Sequence, residues 1–251
     1  MSLKGNAARP LPSLDAMVNR AICELFPDQT IPDEQNFRAD GSRFKAPDHF
    51  VPAAEIYIER KSLNPGERDV IAKISAIAQS QGHPGFRAYG KINIRRLLEA
   101  LPDPAAANRA FHSYWVNRMG KTVREVEKKF HAFFHETKSP LPTALIISDH
   151  DPELGSAETF EFAIGRMMEA QPSATDGYKV DAIMYLRAPR STLQKYGSHW
   201  CKLLLRKDLE EDAYQRLHST LIIIAKHIES SFTTPGSDAS WAGSSFRPLL
   251  V

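Results

Sequence analysis

The run Glu55-Ile56-Tyr57-Ile58-Glu59-Arg60-Lys61 alternates side chains with a period of two. Successive side chains of an extended strand point to opposite faces. The pattern therefore predicts a strand with Ile56 and Ile58 turned into a core and Glu55, Tyr57, Glu59 and Lys61 turned the other way. An acid and an amine two residues apart on one face, with Pro47-Asp48 just upstream, pose a chemical question as well as a structural one.

The elements around that strand are legible from their punctuation. Ser13 caps a helix to Phe26 whose stripe is Leu14, Met17, Val18, Ala21, Ile22 and Leu25, with Glu24 at its edge. Residues 27–36 form a turn-rich connector. Asp40-Gly41 signals a hairpin, and Val51-Pro52-Ala53-Ala54 turns the chain again, so residues 37–61 read as a three-stranded antiparallel meander. Asn64, Pro65 and Glu67 announce a helix to about Gln81. "NIRRLLEALPDP" offers a short helix, and residues 108–137 are helical by pattern with a break expected at Gly120. "PTALIISD" and "YKVDAIMYLRA" read as strands, "SAETFEFAIGRMMEA" as a helix between them, and Asp208 to Ser230 as a long amphipathic helix. The predicted class is α/β or α+β: a mixed sheet flanked by helices in one domain over 1–230, followed by a Ser/Gly/Pro-rich tail at 231–251.

Composition narrows the setting. With 251 residues and 42% hydrophobic content the chain can fill a substantial core. No apolar run approaches the ~18 residues of a membrane span, and the basic start "MSLKGNAARPLPS" has no apolar stretch behind it, so a cytoplasmic, membrane-free protein is the expectation. Cys23 and Cys201 provide neither a disulfide framework nor a zinc pattern. A net charge of +2 permits a polyanionic partner without demanding one, and basic runs such as "VREVEKK" read as solvated faces.

Two carboxylates and a lysine on neighbouring strands are the parts needed to cut a phosphodiester. Mg²⁺ is held by one or two carboxylates, with waters and phosphate oxygens completing its octahedron. Asp48 and Glu59 are the candidate ligands, with the Arg60 backbone carbonyl as a further oxygen. Lys61, on the face of Glu59, is the candidate for stabilising developing negative charge or orienting a water.

Pro47-Asp48, ten intervening residues, then Glu59-Arg60-Lys61 resembles the motif of the PD-(D/E)xK nuclease superfamily. The resemblance covers residues 13–61 and, loosely, 122–148. It implies a restriction-endonuclease-like core, Mg²⁺ or Mn²⁺ as cofactor, DNA as substrate, and a supporting acid from the preceding helix, for which Glu24 is the matching position. Cutting both strands further implies a homodimer. The long stretch before the next strand implies a helical insertion at about 64–120. A non-catalytic DNA-binding or interaction protein that keeps the fold is the alternative.

Other constellations are weaker. Asp149-His150-Asp151 after a buried strand resembles the opening motif of haloacid-dehalogenase-type phosphatases, with Asp149 as nucleophile and Asp151 as acid/base, but a polar loop closing a strand is the preferred reading. His131 and His135 lack the glutamate of a HExxH site, since Ala132 follows the first histidine. Phe111, Tyr114, Trp115, Phe130, Phe133 and Phe134 read mostly as core.

Overall fold

A computed structural model describes residues 13–29, 41, 45–63, 67–84, 94–138, 140–149, 164–165, 180–187, 201–231 and 249–250. Its elements are α1 (Leu14–Leu25), β1 (His49–Val51), β2 (Ile56–Leu63), α2 (Glu67–Ser80), α3 (Ile94–Glu99), α4 (Pro104–Thr137), β3 (Thr143–Asp149), β4 (Ala182–Arg187), β5 (Cys201–Leu205), α5 (Glu211–Ser230) and β6 (Leu249–Leu250). The strands form one mixed sheet in the order β1-β2-β3-β4-β5-β6. At its centre β2, β3 and β4 run parallel; β1 is antiparallel to β2, β5 antiparallel to β4, and β6 parallel to β5.

Parallel strands are buried on both faces, and the sequence obliges: every residue of β3 is buried. Ile56 and Ile58 of β2, with Ala144 and Ile146 of β3, meet the apolar stripes of α1 and α5. Leu63, Leu145, Ile147, Ile183 and Tyr185 face the other layer, built from α2, α3 and α4. Residues 67–80 and 94–137 therefore cover a face of the sheet and share its core.

Several expectations meet a different outcome. Gly120 does not break α4, which runs unbroken from Pro104 to Thr137. A helical glycine costs about 1 kcal/mol relative to alanine, and the buried neighbours Trp115, Met119, Val123 and Val126 bind that stretch to the core. Glu55 is a left-handed turn residue (φ 50°) after the 3-10 turn Pro52–Ala54, outside the strand, and its carboxylate pairs with Arg216 of α5. β5 had no counterpart in the sequence reading, and Leu249–Leu250 pairs with it inside the expected tail. The first strand of the meander, the cap at Asn64 and most of the helix before β4 lie outside the described residues; of that helix Ile164 and Gly165 are described, and both are helical.

Candidate functional site

The hairpin of β1 and β2 pairs His49 with Ile58 and Val51 with Ile56. Just before β1, Asp48 continues the ladder with its side chain: the Arg60 backbone N–H donates to Asp48 Oδ2 at 2.8 Å. This fixes the aspartate beside the middle of β2. A strand residue's N–H and C=O point to the same side, so the Arg60 carbonyl also faces the Asp48 edge. The Arg60 side chain leaves on the opposite face, where it binds Asp15 Oδ1 at 3.1 Å and ties the start of α1 to β2.

On the α4 side, strand and helix spacings coincide. Tyr57 packs its ring edge-on against Phe133 of α4, with centroids 4.9 Å apart. Two residues along a strand advance ~6.6 Å and four residues along a helix advance ~6 Å. Glu59 accordingly meets Lys129, four residues before Phe133. Lys129 Nζ lies 2.6 Å from Glu59 Oε2 and 3.6 Å from Asp48 Oδ1. Lys61 Nζ lies 2.6 Å from Glu59 Oε1. The structure thus brings Asp48, Glu59 and Lys61 into one cluster, and both carboxylates reach a single ammonium group.

Burial within the cluster is graded. Glu59 is wholly buried, Lys129 is 17% exposed, Asp48 31% and Lys61 38%. The buried acid forms the floor, and the aspartate and lysines open to solvent. A carboxylate this deep is tolerable only when paired. Glu59 Oε2 accepts a hydrogen bond from Lys129, whereas Oε1, close to the Lys61 ammonium, accepts no aligned hydrogen bond.

Two carboxylates that reach one ammonium, beside a backbone carbonyl, are oxygen donors of the kind that could hold a hard divalent ion. Among the described residues no group of three or more His, Cys, Asp or Glu side chains is placed to hold a metal. Mg²⁺, which keeps several waters, suits such a sparse set better than Zn²⁺, whose structural sites need four ligands.

Glu24 is placed elsewhere. α1 packs on the Ile56 and Ile58 face, and the exposed Glu24 carboxylate pairs with His227 of α5 at 2.8 Å. Lys129 was missed because "VREVEKK" resembles a solvated run. Its signal lies in the helical phase, since Lys129 falls three residues after Val126 and four before Phe133, inside the buried stripe, whereas Lys128 is exposed.

Other ionisable side chains complete the picture. His49 is buried, shares a hydrogen bond of 2.8 Å between Nδ1 and Gln29, and has its pKa lowered to about 4 by desolvation and then by Arg60. Asp149, at the end of β3, is wholly buried and accepts a hydrogen bond from the Tyr185 hydroxyl. Burial, and then the adjacent carboxylate, push that hydroxyl far above the ordinary phenol range, so it stays a donor. His150 and Asp151 lie outside the described residues. No helix among the described residues is long and apolar enough to cross a membrane. Comparison of the chain with family models, with curated proteins and with solved structures finds no match.

Proposed function

We propose that the chain is a metal-dependent deoxyribonuclease with a PD-(D/E)xK site on a restriction-endonuclease-like core. The observation that carries this reading is the convergence of Asp48, Glu59 and Lys61 on the α4 face of one hairpin. Asp48 and Glu59 would hold Mg²⁺ with the Arg60 carbonyl. Once bound, the ion supplies Lewis-acid polarisation of a phosphodiester oxygen and lowers the pKa of a coordinated water.

The chain's own groups do the rest. The Arg60 N–H aims Asp48, and the ion pair of Arg60 with Asp15 fixes the strand from behind. The Lys61 ammonium, at the open edge, stabilises negative charge on the phosphoryl oxygens as it develops. Exposed Lys121, Arg124 and Lys128 on α4 are the groups offered to the DNA backbone, because phosphate neutralisation dominates DNA affinity.

Plasmid cleavage that depends on Mg²⁺ and stops with EDTA is the expected result. Lys61→Ala should abolish cleavage while leaving DNA affinity nearly intact, the signature of a group that acts on the transition state. A second reading, a DNA-binding protein without catalysis, is favoured by one feature: Lys129 already pairs with both carboxylates. Salt-sensitive DNA binding with no cleavage at any Mg²⁺ or Mn²⁺ concentration would select it. Phosphatase chemistry at Asp149 is disfavoured, since a nucleophile must be reachable and Asp149 is wholly buried.

A further inference from the structure

We propose that Lys129 is a tethered cation occupying the divalent-ion position between Asp48 and Glu59, so that metal binds only as the Lys129 ammonium leaves. The inference rests on the nuclease reading above and adds to it a built-in competitor for the metal. Three observations carry it. Lys129 Nζ contacts Glu59 Oε2 at 2.6 Å and stands 3.6 Å from Asp48 Oδ1, the two carboxylates assigned to the ion. An ion that takes up those same two oxygens competes with the ammonium for them. Charge gives the same answer, because Asp48, Glu59, Lys61 and Lys129 sum to neutrality, and a dication added beside an undisplaced ammonium meets direct repulsion at short range.

The third observation is the contrast in burial. Glu59 is fixed in the floor at 0% exposure, while Lys129 keeps 17% exposure on a flexible four-carbon stem rooted in α4. The lysine is the partner that can move, and outward motion takes its ammonium to the open edge where a phosphate would lie. Lys129 therefore satisfies the buried Glu59 when no metal is bound and is released to the substrate side when one is.

The test measures Mn²⁺ binding to the full chain without DNA, by electron paramagnetic resonance of the free ion. Lys129→Met should bind Mn²⁺ roughly tenfold more tightly than wild type, within the ordinary range of site-to-site coupling. Lys128→Met removes the same charge one residue away on the exposed face and should stay within about twofold, since surface charges are largely screened. Lys129→Gln, which retains a donor for Glu59, serves if the methionine variant does not fold. A measurement on wild type needs no variant: saturating Mn²⁺ should raise acylation of the Lys129 amine severalfold, read by peptide mass spectrometry. Equal Mn²⁺ affinities for wild type, Lys129→Met and Lys128→Met, or unchanged Lys129 acylation at saturation, overturn the tethered-cation inference and leave the nuclease reading standing. No Mn²⁺ binding to any of the proteins overturns both.

Discussion

Glu59 and Asp149 are two wholly buried carboxylates on the same face of adjacent parallel strands, and they are satisfied in opposite ways. The register sets Leu63 against Asp149 and Glu59 against Leu145, so the two acids stand roughly 13 Å apart along the sheet. Glu59 is paired with two partly exposed ammonium groups, Lys61 of its own strand and Lys129 of α4. Asp149 takes a hydrogen bond from Tyr185, a hydroxyl held within the neighbouring strand. A buried charge with exchangeable partners can give one up to a ligand. The Tyr185 hydroxyl, fixed within the sheet, cannot withdraw from Asp149 in that way.

The largest expected effect separates the two directly. Glu59→Gln should lower cleavage roughly a thousandfold, because losing a proposed ligand weakens the hold on the ion whose charge stabilisation the chemistry needs, and should weaken Mn²⁺ binding in parallel. Asp149→Asn keeps an acceptor for Tyr185 and should leave the rate of the folded protein within about tenfold. Cleavage rates at saturating DNA and metal decide the matter. Equal losses in both variants would erase the distinction between exchangeable and fixed partners.

His49 sharpens the comparison by a third solution, since it is buried and stays neutral. Its folded pKa of about 4 lies below the ordinary 6.5, so between those values the unfolded chain binds the extra proton. Stability from this group is therefore fully present above pH 6.5 and is lost as pH falls toward 4, by an amount on the order of 2 kcal/mol. Urea unfolding at pH 7 and pH 4.5 should show that loss in wild type and a smaller one in His49→Gln. Identical pH slopes would mean that His49 is more accessible than its burial in the hairpin indicates.

Tyr185→Phe should cost about 1–3 kcal/mol by leaving buried Asp149 without this donor, with no change in cleavage rate per folded molecule. Thermal unfolding and a rate corrected for the folded fraction check both halves. A loss of rate at unchanged stability would place Asp149 in the chemistry after all.

How much of this was legible turns on where local pattern and tertiary packing agree. Ser13, the α1 stripe and the alternation of β2 are local signals, and each corresponds to an element of the structure. So does the unbroken apolar run of β3. β5 was missed because Cys201-Lys202-Leu203-Leu204-Leu205 is a short apolar run with no clear period, set just before a strong helix. Gly120 was misjudged because propensity there is overridden by packing on both sides. Asp48, Glu59 and Lys61 were visible as a spacing. The helical phase marks Lys129 as an inward-facing position, but its meeting with Glu59 and the displacement of Glu24 depend on which face of the sheet each helix covers, and no local pattern carries that.

The smallest expected effect concerns Glu24. The acid that the motif resemblance would enlist sits on α1, behind the sheet from Glu59, and is engaged with His227 in a pair that leaves both side chains partly exposed, 54% for the acid and 31% for the imidazole. Exposed pairs of this kind contribute ~0–1 kcal/mol, because water screens the attraction and ordering two side chains offsets part of the gain. Glu24→Gln should therefore leave Mn²⁺ affinity and cleavage unchanged and shift stability by less than about 1 kcal/mol. Calorimetry and the plasmid assay on one preparation suffice. A Glu24→Gln protein of wild-type stability that fails to cleave would mean that α1 contributes to the chemistry, and the division of labour between the α4 face and the α1 face would have to be redrawn.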